Sequence, residues 1–586
     1  MIYLLRIDNH LKIFLYLSNL QGILVGLFFL NQITMWKNHP KALPYLFLSE
    51  MWERFGYYLM IGIFTLYLKD VEAGFAMTEK EAADLYGTFI ALVFLTPFIG
   101  GLVADRYLGY RKSIVIGGIM MGAGYFMMGI HSLPMLYLAM TLVIVGNGFF
   151  KPNISTLLGN FYNEDKYIDK KDEGYNIFYM GINVGAFICN FFGAALQILL
   201  GWQYAFMAAG LGMFIGVIVF LLGTKHYGNK TEKKGIQPSD MPFSKIVLFI
   251  LFPSVIFGVI GWFLKGVTSE FNTNSAVFGS DSTDAFVFAC IPIVFFYGSL
   301  YFKAKTEDKR PIGALLSIFA VVILFWAVFK LNGSALTTWA DRYTDREVTG
   351  TTKNVFSTLV QSKEITYEKA STELYDDKFR LQKENGEVVK VEDYPIYFRN
   401  VSKEKLPKEG SKISVWATNL SQSINPGWVI ILTPLVVAFF TFLRSRKKEP
   451  STPTKIAFGL LISALSVLIM VAAVHIGNNG SEKVSVWWLV ANYGIITIGE
   501  LFLSPMGLSI VSKLSPKNIT ALMMGGWFLS TSIGNKLSGV LASMWDQYDD
   551  KANFFWVNFG LLMFATLLMF ALVKNLNKVM KENGIN

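Results

Sequence analysis

Stretches of about 20 apolar residues recur along most of this chain, each long enough to cross the roughly 30 Å hydrocarbon core of a bilayer. Twelve run near residues 45–68, 84–104, 112–131, 135–157, 175–198, 203–223, 311–339, 426–443, 454–476, 485–511, 519–544 and 552–573, and two more, near 243–264 and 285–302, fall between the sixth and seventh. Nothing else in the sequence constrains the fold as much. In lipid every backbone polar group must be satisfied internally, which leaves helices and closed barrels. Barrel strands alternate over about ten residues, whereas these runs are unbroken, so the spacing predicts an all-α membrane protein. Charged residues make up 16% of the chain, against about a quarter in a soluble globular domain.

Lys and Arg number 52 against 42 Asp and Glu. The surplus clusters in alternate loops, at Arg106/Arg111/Lys112, Lys225/Lys230/Lys233/Lys234, Arg444/Arg446/Lys447/Lys448 and Lys574/Lys578/Lys581. That alternation reads as membrane topology, with both termini in the cytoplasm, rather than as a nucleic-acid surface. The extra pair keeps this parity only as an inserted two-helix hairpin over 243–302. Cys189 and Cys290 lie in separate apolar runs without metal-ligand spacing, so no metal or disulfide framework is expected.

Six spans over 45–223 and six over 311–574 read as two helical bundles around a central site, an arrangement that permits rocking between two open states. Residues 1–34 fit this topology poorly and read as an upstream extension, with the natural start at Met35. Residues 341–412 are dense in Lys, Glu and Asp, carry an Asn385-Gly386 turn signal, and fall outside the membrane between the seventh and eighth spans. Short strands are expected within Val388–Tyr397, which leaves a partly ordered lid and a flexible loop as alternatives.

Charges inside the spans point to function. A charged side chain at the bilayer centre costs at least ~2.5–3.5 kcal/mol and so needs a partner or a wet path. Glu50, Glu53, Arg54, Tyr57 and Tyr58 fall at i, i+3, i+4, i+7 and i+8, one helical face that must look inward. Lys151, in Gly146-Asn-Gly-Phe-Phe-Lys-Pro-Asn153, lies within the fourth span; it either snorkels to an interface or pairs with Glu50 or Glu53. Asn183 and Asn425 offer a donor and an acceptor each, suited to an amide ligand or to joining helices. Glu500, in Gly499-Glu-Leu-Phe-Leu-Ser504-Pro505, is an isolated acid that suits a cationic ligand group or a pair with Lys330 or Lys536. Trp527 is either a pocket wall or a packing residue. Gly100-Gly101-Leu-Val-Ala-Asp105-Arg106-Tyr-Leu-Gly109 combines close helix approach, a tight turn and an acid placed to meet a helix N-terminus.

That last string resembles the cytoplasmic-gate motif of the major facilitator superfamily. Together with Glu50-x-x-Glu53-Arg54-Phe-x-Tyr-Tyr, Gly-Asn-Gly-Phe-Phe-Lys-Pro-Asn, Phe178-Tyr-x-x-Ile-Asn183-x-Gly and Gly-Glu500-Leu-x-x-Ser504-Pro-x-Gly-Leu, it resembles the proton-dependent oligopeptide transporter branch over roughly residues 40–574. The resemblance implies a major facilitator fold of two six-helix bundles plus the hairpin, in the cytoplasmic membrane. It implies uptake of di- and tripeptides driven by protons, without a cofactor. It assigns Glu50, Glu53, Arg54 and Lys151 to proton coupling, Lys151 also to peptide binding, Glu500 to the peptide's amino terminus, and Asn183 and Asn425 to its backbone. Tyr58, Ser504 and Trp527 would shape the pocket, and Gly101, Asp105, Arg106 and Gly109 the cytoplasmic gate.

Three positions depart from the family pattern. Ile61 stands where many members have Arg, Phe94 where many have Tyr, and the seventh span reads Phe325-Trp-Ala-Val-Phe-Lys330 where many carry an acid. Lys330 either holds the peptide carboxylate or pairs with Glu500. A same-family symporter of a non-peptide solute and a non-transporting peptide sensor are the rival readings. No nucleophile–base pair, metal cluster or phosphate loop suggests an enzyme; short peptides, protons and lipid are the expected partners, with no nucleic acid and no required oligomer.

Overall fold

In the computed structural model, residues 36, 38–70, 73–75, 77, 85, 86, 89, 90, 92–233, 242–268, 281–333, 335–358, 362–376, 379, 382–384, 387–416, 418–516 and 519–584 are described. The 1–34 segment lies outside them, as does the Asn385-Gly386 turn. The apolar runs form helices: α1 (Leu43–Lys69), α2 (Pro97–Val103), α3 (Tyr110–Met128), α4 (Leu133–Phe161), α5 (Lys171–Leu200) and α6 (Trp202–Leu222) make one half. α7 (Phe252–Thr268) and α8 (Asp281–Lys303) form the hairpin, packed on each other and, through α8, on the second half. That half contains α9 (Thr306–Phe329), α10 (Ser421–Ser445), α11 (Thr452–Ile476), α12 (Val486–Leu514), α13 (Thr520–Ser543) and α14 (Lys551–Glu582). Nine helices among the described residues are long and apolar enough to cross a membrane. The chain is a multi-pass membrane protein of the major facilitator type.

Local signals set several boundaries. Asp550 caps α14 by accepting from the Ala552 amide at 2.9 Å. Gly109 takes φ +77° between a π-helical turn over Ala104–Leu108 and the start of α3, a conformation that favours glycine. Proline at position 152 removes a backbone donor from α4 and marks the stretch where Lys151 faces inward.

The halves meet along α5 with α10 and α12, α2 with α13, and α4 with α12 and α13. Large apolar side chains remain exposed on the outer faces, including Phe263, Phe295, Phe302 and Leu567, as expected where lipid is the solvent. One end of the molecule gathers the Lys- and Arg-rich loops. At the other end, the segment after α9 folds into short strands: β2 (Ser362–Thr366) pairs antiparallel with β5 (Lys412–Trp416), and β3 (Ala370–Glu373) with β4 (Lys390–Asp393). Two-residue strand β1 (Thr344–Asp345) pairs in parallel with β6 (Val484–Ser485), in the loop before α12, and so ties the insert to the second half. The Asn400 side chain adds bonds to the Arg342 and Gly480 carbonyls, at 3.0 and 3.1 Å.

Candidate functional site

The polar stripe of α1 faces the middle of the molecule. Glu50 and Glu53 are completely buried there. Arg54 donates to both carboxylate oxygens of Glu53, and its Nε stands 3.7 Å from Glu50. Lys151, projecting from α4, donates to Glu50. Two acids and two bases thus compensate one another within a single half. The fork of the guanidinium suits a bidentate carboxylate, and Arg54 holds the adjacent acid in this way while Lys151 holds the other. The Arg54 guanidinium also lies 4.6 Å from the Tyr57 ring centre and 5.9 Å from that of Tyr58.

Beside this cluster, between the halves, is a cavity of about 310 Å³. Among the described residues, four charged side chains line it: Arg54, Lys151, Lys330 and Glu500. Tyr58, Asn183, Asn425, Ser504 and Trp527 also line it, so every candidate ligand-binding residue from the sequence converges there. Asn183 donates to the Tyr179 carbonyl of its own helix at 3.0 Å. Trp527 packs edge-on against Phe319 at 6.3 Å while facing the cavity. Glu500 is only 2% exposed. Tyr179, from the opposite half, donates to one of its oxygens, and Asn425 Nδ2 to the other at 2.8 Å. Among the described residues no cation lies within 4.0 Å of Glu500, so the sequence alternative of a Lys330–Glu500 ion pair is not what the structure shows. Lys536 instead stands over the Phe286 ring.

Toward the Lys-rich end the seam is closed. Gly101 of α2 lies against Ala521 at the start of α13; a β-carbon there would fall 2.5 Å from the Ala521 carbonyl oxygen. Asp105 accepts from the Ala521 and Leu522 amides at 2.8 and 3.2 Å, and from the Tyr110 hydroxyl at 2.6 Å. It therefore caps a helix of the other half, with Arg106 buried beside it and Gly109 supplying the turn.

Sequence reasoning missed a second seam contact. Asp172, at the start of α5, accepts from Lys513 (2.7 Å), Lys455 (2.9 Å), Thr452 (3.0 Å) and Ser509 (2.5 Å), all in the second half. Its neighbour Glu173 meets Arg444 at 3.2 Å and His39 at 3.3 Å. In sequence these acids sit among Lys170 and Lys171 and read as part of a charged loop. Tyr179 was also missed as a functional group, although its motif was noticed. Among the described residues, no cluster of His, Cys, Asp or Glu is arranged to hold a metal ion.

This arrangement has relatives. The "Uncharacterized transporter YclF" of Bacillus subtilis is 26% identical over 93% of this chain and 95% of its own length. A "Di-/tripeptide transporter" of Lactococcus lactis subsp. lactis is 26% identical over 86% of this chain and 89% of its own. The crystal structure of peptide transporter POT in complex with sulfate superposes with a TM-score of 0.61 at 26% identity, over 93% of this chain and 96% of that one. The profile of the POT family (PTR2) matches residues 111–362 and 413–557, and with more than half of its length matched, this chain belongs to the POT family.

Proposed function

We propose that the protein is a proton-coupled symporter that imports di- and tripeptides across the cytoplasmic membrane by alternating access, with the Lys-rich end and both termini in the cytoplasm. The proton is the coupling ion and no cofactor takes part. The observation that carries this reading is a cavity between two halves, closed at its Lys-rich end, into which one acid and several bases project. Relatives named as di-/tripeptide transporters and a related peptide transporter solved with alafosfalin support the substrate class. A short peptide carries charge at both ends and amides between. Glu500 receives its ammonium group, displacing the Tyr179 or Asn425 donor, while Asn183 and Asn425 address the backbone. Tolerance of many side chains follows when affinity comes from the termini.

Coupling begins at Glu53. A proton there releases Arg54, whose Nε is already 3.7 Å from Glu50. Arg54 then competes for Glu50 and loosens Lys151, so one proton rearranges the whole cluster. Closure around the peptide breaks the Asp105 and Asp172 contacts, the Lys-rich end opens, and proton loss resets the pairs.

The test is uptake of dialanine and trialanine into proteoliposomes with and without an imposed proton gradient. Accumulation only with the gradient is expected, and Glu53→Gln should abolish uphill uptake while sparing peptide exchange. Undiminished uphill uptake by that variant would refute the coupling assignment. The Lys330 substitution motivates a second reading, a non-peptide anion as substrate; failure of dialanine to compete with the transported solute would favour it.

A further inference from the structure

Of the three cations that line the central cavity among the described residues, two are already engaged. Arg54 is held by both oxygens of Glu53, and Lys151 by Glu50. A substrate carboxylate arriving at either base would share it with a completely buried acid fixed in the same half. Lys330 is different. It stands just past the end of α9, half-buried, with no carboxylate within 4.0 Å among the described residues. Its ammonium lies 5.8 and 6.0 Å from the ring centres of Trp326 and Phe329, which attract a cation but accept no ordinary hydrogen bond. Its three donors therefore point to water or to an incoming anion. Among the described residues Glu500 is the one acid lining the same cavity, and it is likewise met only by the neutral donors of Tyr179 and Asn425.

Resting on the peptide reading above, we propose that Lys330 is the anchor for the substrate's carboxylate, so that both poles of a zwitterionic peptide are held by the second half. Arg54 and Lys151 stay with their own acids in this state and serve proton coupling rather than substrate recognition. The cavity selects for a free carboxylate, because an amidated peptide leaves the Lys330 ammonium without a counter-charge. The opposite half contributes Tyr179, which the substrate ammonium must displace or share.

Equilibrium binding of dialanine and dialanine amide to the purified protein separates the possibilities. Wild type should prefer the free acid by about tenfold or more, the usual worth of a charged hydrogen bond. Lys330→Gln should lose that preference through weaker acid binding, while amide binding that is retained or tighter reports an intact fold. Lys330→Arg should restore the preference. Full discrimination in Lys330→Gln, or its loss in Lys151→Gln alone, overturns the assignment. A wild-type protein that binds neither ligand overturns the peptide reading, and this inference with it.

Discussion

The two halves handle buried charge in opposite ways. In the first, Glu50, Glu53, Arg54 and Lys151 form a closed set in which every charge already has a partner. In the second, Lys330 and Glu500 face the same cavity from different helices and remain apart, each surrounded by neutral groups. A compensated cluster responds strongly to a single proton, since neutralising one acid releases a base that must find another. Two separated charges facing a cavity instead rest on neutral groups until a dipolar solute supplies both counter-charges. The difference assigns coupling to one half and recognition to the other, and it can be broken by measurement.

The largest effect is expected at Glu50. Glu50→Gln strands Lys151, which is 9% exposed, and removing one partner of a buried pair costs about 3–5 kcal/mol. Combining it with Lys151→Met should recover most of that loss, giving a large interaction energy in the double-mutant cycle. Glu500→Gln keeps the shape and strands no base, so its melting temperature should stay near wild type while dialanine binding falls. If Glu50→Gln and Glu500→Gln melt together, the contrast between the halves is wrong.

A second measurement asks where charges do cross between the halves. They cross at the Lys-rich seam, where Asp105 caps α13 and Asp172 meets Lys455 and Lys513. Asp105→Ala removes a cap worth about 0.5–2 kcal/mol, and the loss falls on the closed state. Ser512, which is buried and packs near Gly159 across the seam, can report this as Ser512→Cys. The native thiols Cys189 and Cys290 are buried and give little background. Maleimide labelling at position 512 should rise by about two- to thirtyfold in the Asp105→Ala background. An unchanged rate would mean the cap does not hold the seam.

Much of this was readable from residue order, and what was not shares one cause. The stripe on α1 follows from helical periodicity, and the cost of charge in lipid demanded a partner such as Lys151. Which acid takes which base was not legible, because Glu50 and Glu53 are one turn apart and the choice depends on the height of α4 beside α1. Glu500 stood out as an isolated acid, but its donors come from Tyr179 and Asn425, 321 and 75 residues away. Asp172 was hidden by the charges next to it and finds its bases 283 and 341 residues later. The short strand of the insert within Val388–Tyr397 was legible, while the insert's attachment through Thr344 and Val484 is a pairing no local signal announces. Period and composition fix the helices; long-range packing decides which polar tips meet.

The smallest effect concerns a second lysine of the same half. Lys483, like Lys330, has no carboxylate within 4.0 Å among the described residues, but it lines a separate cavity of about 110 Å³ beside the insert rather than the central one. Its Nζ donates to the Arg342 carbonyl at 3.0 Å and lies 4.3 Å over the Tyr397 ring. Burial foremost, then the neighbouring Arg346 charge, pushes its pKa down to about 7. An undocked lysine titrates near ~10.4. Between those values the docked insert binds fewer protons than the released one, so docking strengthens as pH rises through that window and is level below it. From pH 7 to 8 the gain is about 1 kcal/mol. Limited proteolysis of the insert should therefore slow between pH 7 and 8 in wild type relative to Lys483→Met, which carries no titrating group. Parallel profiles would show that Lys483 keeps its proton on docking and that its surroundings, like those of Lys330, let a lone cation persist.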